Sequence, residues 1–463
     1  MLSRPALVRE AQLVARRCCS IQPLQRRGYA AAAASTGNFE TKKVSGLKIA
    51  SRDAQGPTTK LAVVAKAGTR FQPLPGLTVG LEEFAFKARL PGNTQRRSAL
   101  RITRESELLG GQLNATHTRE ALVLEANFLR EDLPYFAELL AEVVSMTKYT
   151  THEFHEDVER ILHLKQAALT GNVNALALDN AHAVAFHTGL GTSIYPSASS
   201  PVQKYLNEEH IASYADVVYS RPNIAIVADG ASADNLTNWV EQFFKDVPAS
   251  SQSGQTLRDE ASKYHGGEQR ISHPGGNSIV LAFPGSDAAG SKPEIAVLAA
   301  LLGGQPTIKW APGFSLLSKA TVGASGLAVT ASNLTYSDAG LLTVQLSGNA
   351  ASVRRAAADT VKALKSIADG SIGKEDVAKA IANAKFEISE EAQLRAPSIL
   401  RAGSGLITGD KITDLPTLTK GINGITAEKL KTTAKTLLEG KATVSTVGDL
   451  FVLPYAEEIG LRV

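Results

Sequence analysis

An internal repeat constrains the fold of this 463-residue chain more than any other feature of its sequence. Apolar and polar residues alternate from Leu122, as in a half-buried strand, and a helical pattern of apolar residues begins at Leu133. The same two patterns recur from Leu342 and from Val353, each displaced by 220 positions. A chain that repeats a strand and a helix at one constant offset is predicted to contain two similar domains.

Further apolar strand patterns occur in both halves. Segments 223–227 and 442–447 each follow a helical pattern and precede a polar turn, and segments 61–65 and 278–283 each precede a loop and a helix. Two unrelated domains could share such patterns by chance, but the constant offset favours duplication. Adjacent strands and runs of helices predict an α+β fold with two homologous domains, each with helices packed on a mainly antiparallel β-sheet.

The first 29 residues have the composition of a mitochondrial transit peptide. They contain six arginines against one acid, Glu10, and their apolar residues can share one helical face. A secretory signal would need an uninterrupted apolar core, which the arginines break, and a disordered basic arm is the other alternative. The sequence at 27–30 resembles a matrix cleavage site, so the mature chain is expected to begin near Ala30.

The predicted domain limits follow from two segments. A stretch at 249–269 is rich in Ser, Gly, Lys and Glu, has few apolar residues, and is predicted to be a linker. The N-terminal domain is therefore expected to span 30–248, after a transit peptide at 1–29, and the C-terminal domain is expected to span 270–463.

Composition excludes several classes of function. A formal net charge of +4 and an aromatic content of 6% give no support for nucleic-acid binding. Both cysteines, Cys18 and Cys19, lie in the leader, so the remainder has no thiol for catalysis or metal ligation. No haem or dinucleotide motif is present, and no cofactor is expected. No apolar run reaches the roughly 18–20 residues that span a bilayer, so no membrane-spanning helix is expected.

A polar cluster on a predicted helix carries a metal-binding signal. His152, Glu156, Glu159 and His163 are spaced by four, three and four residues and so share one helical face, with His155 nearby. Imidazole and carboxylate groups are reasonable zinc ligands. A straight helix, however, offers at most two or three convergent ligands, and a solvated polar face is the favoured interpretation.

Two motifs resemble those of the pitrilysin-like metallopeptidases. The first is VGLEEFAFK at 79–87, where the family has His-x-x-Glu-His followed by an aromatic-Lys signature. The second is GGQLNATHTRE at 110–120, which is similar to Gly-Gly-x-x-Asn-Ala-x-Thr-x-x-Glu in the family. The resemblance covers essentially the whole chain after the leader, including the duplication, and it implies the pitrilysin-like metallopeptidase fold.

The resemblance also indicates where the chain departs from an active enzyme. Active members bind Zn²⁺ through the two histidines and a later Glu, and the Glu between the histidines is the general base. Aligned on Phe86 and Lys87, the two histidines fall on Val79 and Glu83, and the base falls on Glu82. Valine cannot coordinate zinc, and Glu82 without a metal has no polarised water to activate.

The third zinc ligand is missing as well. It falls near the end of 161–166, where the sequence offers Leu164 or Lys165 and no carboxylate. Adjacent helical residues point about 100° apart, so Glu82 and Glu83 are not expected to face one substrate atom. All three ligands are lost on this alignment, which implies no metal, no catalytic residue and no peptidase activity.

The mitochondrial members of the family include the processing peptidase subunits and the core proteins of the respiratory ubiquinol–cytochrome c reductase. Segment 303–319 corresponds to the glycine-dense presequence loop of the non-catalytic processing subunit, but it has lost that glycine density. Segment 448–458 and the overall length resemble those of a reductase core protein. The resemblance therefore implies a non-catalytic structural subunit of the reductase, peripheral to the inner membrane on its matrix side.

The implied partners are core protein I, cytochrome b, cytochrome c1 and the other reductase subunits, within a dimeric complex. Two alternatives remain open. The first is the non-catalytic, presequence-binding subunit of the processing peptidase. The second is an active zinc peptidase that would use the cluster between His152 and His163.

Overall fold

Two mixed β-sheets with matching strand order form the framework of the chain. The computed structural model describes residues 38–53, 55–86, 93–196, 206–304, 313, 315–320 and 326–463. The predicted transit peptide at 1–29 and much of segment 303–319 lie outside these residues. Within the described ranges, none of the helices has the length and apolar character that crossing a bilayer requires.

The first sheet has six strands, which are β1 (Glu40–Val44), β2 (Leu47–Arg52), β3 (Thr58–Ala65), β4 (Gln112–His117), β5 (Leu122–Leu129) and β6 (Ile224–Asp229). Their order is β1-β2-β6-β3-β5-β4. The β2–β6 pair is parallel, and the other neighbouring pairs are antiparallel. The central strands β3 and β6 are apolar and almost wholly buried, as expected where both faces of a sheet are covered.

The described part of the first half contains seven helices of nine residues or more, which are α1 (Leu77–Ala85), α2 (Ala99–Leu108), α3 (Leu133–Ser145), α4 (Glu159–Gly171), α5 (Val173–Phe186), α6 (Glu208–Val218) and α7 (Ala233–Phe243). A short helical turn, Thr151–Glu153, and a π-helical segment, Phe154–Val158, lead directly into α4. Helix α3 buries its apolar face against the first sheet, which accounts for the helical pattern that begins at Leu133.

The second sheet has five strands, which are β7 (Gly267–Ser272), β8 (Asn277–Pro284), β9 (Ala328–Thr335), β10 (Gly340–Gly348) and β11 (Thr443–Gly448). Their order is β7-β11-β8-β10-β9, with β7 and β11 parallel and the other pairs antiparallel. The described helices of this half are α8 (Pro293–Leu302), α9 (Leu316–Ala320), α10 (Ala350–Asp369), α11 (Lys374–Gln393), α12 (Arg395–Gly409), α13 (Leu415–Asn423) and α14 (Ala427–Glu439).

The two sheets confirm the predicted duplication and the α+β class. The order β7-β11-β8-β10-β9 repeats β2-β6-β3-β5-β4 position by position, and each sheet has its parallel pair at the equivalent place. The strand patterns from Leu122 and Leu342 are β5 and β10, and the helical patterns that follow them are α3 and α10. Strand β7 begins at Gly267, inside the segment predicted to be a linker.

Each half also supplies one helix to the sheet of the other half. Helix α5, from the first half, packs on β7, β8 and β11 of the second sheet. Helix α12, from the second half, packs on β2, β3 and β6 of the first sheet. The approach of α12 is close enough that a Cβ on Gly403 would lie 2.4 Å from a methyl carbon of Val64. This reciprocal packing joins the two halves through buried apolar surfaces.

Candidate functional site

Helix α1 places the three degenerate motif positions inside the first half. All nine of its residues are buried, and Val79 lies within the main apolar cluster. The helix approaches α6 closely at Gly80, where a Cβ would lie 2.5 Å from Cδ1 of Ile211. Glu82 and Glu83 are therefore carboxylates in the protein interior, and each needs a charged or hydrogen-bonding partner there.

Lys165 is the residue that faces Glu82 and Glu83 from the third ligand position. Its Nζ donates to Oε1 of Glu83 at 2.6 Å and lies 3.0 Å from Oε2 of Glu82. Leu164 points outward instead and is 60% exposed. The expectation that Glu82 and Glu83 would not face one atom is wrong. The two carboxylates converge on one ammonium because glutamate side chains have three rotatable bonds, which compensate for the angle between adjacent helical positions.

His117, at the end of β4, completes the charged cluster. Its Nδ1 donates to Oε2 of Glu82 at 2.5 Å, and its Nε2 lies 3.2 Å from the carbonyl oxygen of Ile194. The carboxylate of Glu82 is an acceptor, so the ring carries a proton on Nδ1. The ring of Tyr195 packs edge-on against His117, 5.5 Å away, and lies 5.7 Å from Nζ of Lys165.

No role is predicted for His117 from the sequence, although it lies within the second family motif. A strand places alternate residues on one face, so His117 shares the face of Ala115 and Leu113, which turns toward α1. That alternation was the available signal. The pairing of β4 with β5 and the packing of α1 against β4 were needed to identify Glu82 as the partner of His117.

The charges of the cluster shift its pKa values in opposite directions. Burial alone would raise the pKa of Glu82, but the His117 hydrogen bond and the charges of His117 and Lys165 outweigh burial and lower it. Burial would lower the pKa of Lys165, but Glu82 and Glu83 outweigh burial and raise it. The pKa of Glu83 is raised, chiefly by burial, which Lys165 offsets only in part. Lys165 is therefore held as an ammonium ion.

These residues do not fit a zinc ion. An ammonium has three donors and no lone pair, and Val79 offers no donor atom to a metal. Within the described ranges, no three His, Cys, Asp or Glu side chains are grouped so that they could hold a metal ion. The cluster formed by Glu82, Glu83, His117 and Lys165, which we call the ionic centre, pairs two acidic with two basic groups.

The polar cluster between His152 and His163 is arranged differently from the sequence prediction. The π-helical segment Phe154–Val158 interrupts the α-helical spacing, so the four predicted positions do not follow one regular face. His152 pairs with Glu156 and His155 pairs with Glu159, each at 3.2 Å. Both histidine side chains are more than half exposed, as expected for a solvated polar surface.

Comparison with known proteins identifies the family. Residues 48–197 match the family model described as "Insulinase (Peptidase family M16)", and residues 205–384 match "Peptidase M16 inactive domain". Among the similar proteins, "Cytochrome b-c1 complex subunit 2, mitochondrial" of Neurospora crassa is 57% identical over 464 residues, which cover 100% of both chains.

More distant relatives of the same name extend the match. The protein of Schizosaccharomyces pombe is 36% identical over 91% of this chain and 95% of its own length. That of Rattus norvegicus is 27% identical over 90% of this chain and 91% of its own length. Together with the duplicated α+β fold, these similarities show that the chain belongs to the cytochrome b-c1 complex subunit 2 family, a degenerate branch of the M16 peptidases.

Proposed function

We propose that this chain is a non-catalytic structural core subunit of the mitochondrial ubiquinol–cytochrome c reductase, complex III, and corresponds to core protein II. The observation that supports the non-catalytic part of the proposal is the position of Lys165, whose ammonium lies between Glu82 and Glu83 at the former catalytic centre. The names of the similar proteins support the role as a subunit of the reductase. In this role the chain has no redox centre of its own and contributes to electron transport through assembly.

The chemistry of the centre supports a role without catalysis. Metal-dependent hydrolysis needs an ion that polarises a water molecule next to a general base. Glu82 retains the base position, but Nδ1 of His117 and Nζ of Lys165 both contact its Oε2 atom. Oε2 of Glu82 is therefore engaged by two nitrogen atoms, and an ammonium repels a metal cation.

Localisation and partners form the second part of the proposal. We place the protein on the matrix side of the inner membrane, attached through core protein I, cytochrome b, cytochrome c1 and other subunits of a dimeric complex. The arginine-rich composition of residues 1–29 supports mitochondrial import, with the mature chain beginning near Ala30. We further propose 30–248 and 270–463 as the domains, joined through 249–269.

Native gel electrophoresis tests the assembly. Mitochondrial membranes are washed in mild salt and extracted with a mild detergent, and the native gel is stained for haem and probed for this chain. The chain should remain with the membrane through the salt wash and migrate with the haem band that contains cytochrome b, cytochrome c1 and core protein I. A carbonate wash at high pH should release it, and a soluble matrix enzyme is the control for trapped material.

The alternative function has a distinct outcome in the same experiment. If the chain is the presequence-binding subunit of the processing peptidase, it should appear in the soluble matrix fraction. It would then migrate as a heterodimer with a zinc-binding His-x-x-Glu-His subunit, away from the haem band. That result would replace the reductase proposal. The family of the similar proteins disfavours this alternative.

A further inference from the structure

We propose that the ammonium of Lys165 takes the structural role of a metal ion, so that the ionic centre is held together by a cation from the same chain. This inference goes beyond assembly into a complex, because it concerns how the first half of the chain is stabilised. The centre is a degenerate metallopeptidase site whose residues do not fit zinc, and the ammonium lies where its two carboxylates converge.

The ionic centre connects four separate segments of the first half. Glu82 and Glu83 belong to α1, Lys165 to α4 and His117 to β4. The Nε2 atom of His117 extends the connection to the backbone at Ile194. A single ammonium therefore links α1 to α4, and through Glu82 it links both helices to the edge of the first sheet. Bound metal ions join separate segments in the same way, through several ligands to one cation.

The centre also needs its cation for electrostatic reasons. Glu82 and Glu83 are adjacent, buried carboxylates, and without a nearby positive charge they would repel each other in a poorly solvated environment. Oε2 of Glu83 has no hydrogen-bond partner among the described residues, so Lys165 supplies the polar contact of that carboxylate through Oε1. Removing the ammonium would leave a buried charge without compensation.

The same geometry predicts what remains when the ammonium is removed. The two carboxylates of Glu82 and Glu83 would then face one vacated position, and carboxylate oxygens are ligands for divalent transition metals. In the natural chain, the ammonium masks this donor set. A chain that lacks the ammonium should therefore acquire a response to zinc that the natural chain does not have.

The test compares Lys165→Ala with the natural full-length chain in thermal unfolding, with EDTA and with added zinc chloride. Lys165→Ala in EDTA should unfold at a temperature lower by roughly 5 °C, because it leaves the two acids unpaired. Saturating zinc should restore a large part of that loss in Lys165→Ala and leave the natural chain unchanged. Lys165→Arg keeps the charge, so its unfolding temperature should fall by less than that of Lys165→Ala, and zinc should not raise it.

Two controls separate this proposal from a general loss of packing. Lys435→Ala removes an exposed lysine whose Nζ lies 3.9 Å from Glu439, and it should change the unfolding temperature by less than about 1 °C. The triple variant Glu82→Gln, Glu83→Gln, Lys165→Ala has no charge to compensate, and it should not respond to zinc. If Lys165→Ala does not yield folded protein, Lys165→Gln provides the same comparison with a polar neutral side chain.

Three results would overturn the proposal. The first is a Lys165→Ala chain that unfolds at the same temperature as Lys435→Ala. The second is a destabilised Lys165→Ala or Lys165→Gln chain that zinc stabilises no more than it stabilises the natural chain, since the lysine would then contribute packing or a local ion pair and not replace a metal. The third is a natural chain that loses stability in EDTA, which would mean that a metal still occupies the protein.

Discussion

Glu120 and Ser337 occupy corresponding turns of the two halves, and they are hydrogen bonded to each other. Ser337 donates its hydroxyl to Oε1 of Glu120 at 2.6 Å and its backbone N–H to Oε2 at 2.9 Å. Glu120 lies in the turn between β4 and β5, and Ser337 lies in the turn between β9 and β10. Arg70 donates to Glu120 and to Asp338, both at 2.7 Å, so the two hairpin turns share a buried cation.

Replacing Glu120 with alanine should weaken the contact between the halves. The substitution leaves Arg70 and the N–H of Ser337 without one acceptor each, in a setting where the Arg70 side chain is 4% exposed. Breaking a buried pair in this way costs about 3 kcal/mol or more. We expect a lower midpoint of urea unfolding, measured by far-UV circular dichroism. Glu439→Ala is the matched control because its pairing with Lys435 is exposed, and equal shifts in both variants would contradict the prediction.

Helix α12 provides a second test of the reciprocal packing. Gly403→Val should clash with Val64, since even a Cβ at this position would lie 2.4–2.9 Å from three atoms of the Val64 side chain. Overpacking of this kind costs about 1–3 kcal/mol. Gly409→Ala, on the same helix, has no atoms within 4 Å of its Cβ and should be neutral or slightly stabilising. Comparable destabilisation by both substitutions would argue against close packing of α12 on the first sheet.

The buried His182 should make the chain sensitive to mild acid. Burial, followed by the charge of Arg119, lowers the pKa of His182 to about 3 from an ordinary value of 6.5. The neutral ring donates from Nδ1 to the carbonyl of Leu178 and accepts from the hydroxyl of Tyr336 at Nε2. Below pH 6.5 the unfolded chain binds a proton that the folded chain does not. Stability is therefore fully present above that pH and falls as the pH drops toward 3.

Chemical unfolding at two pH values measures how much stability the chain loses in acid because of His182. Between pH 7.5 and 5.5, His182 should account for a loss of about 1.4 kcal/mol in the free energy of unfolding, because pH 5.5 lies one unit below the pKa of histidine in the unfolded chain. His182→Gln removes the titrating group and should show a correspondingly smaller loss over the same interval, whatever its own stability at pH 7.5. An identical pH dependence in the two proteins would exclude His182 as the source.

Local patterns were sufficient to predict the elements of the fold but not how they pack across the halves. Alternation and helical periodicity identify β5, β10, α3 and α10 because they reflect which face of each element is buried. No local sequence pattern predicts that α5 and α12 each pack on the sheet of the other half, since an apolar helix face does not specify which sheet covers it. Likewise, the choice between Leu164 and Lys165 depends on how α4 lies against α1, which the sequence spacing does not determine.

Rebuilding only part of the family motif should not restore peptidase activity. Val79→His with Glu83→His reintroduces two imidazoles on α1, but the ammonium of Lys165 would still lie next to Glu82. Two ligands beside a cation bind zinc weakly. We therefore expect no zinc-dependent cleavage of a mitochondrial presequence peptide by the double variant, assayed by mass spectrometry. Cleavage that EDTA abolishes would contradict this prediction.

The zinc content of the natural chain shows directly whether Lys165 is the cation of the ionic centre. The chain is purified from its native source without chelators, and zinc is measured by inductively coupled plasma mass spectrometry against protein concentration. We expect a zinc content far below one ion per chain. A content of about one zinc per chain, lost on Glu82→Gln substitution, would show that the ionic centre still holds a metal and that Lys165 does not replace it.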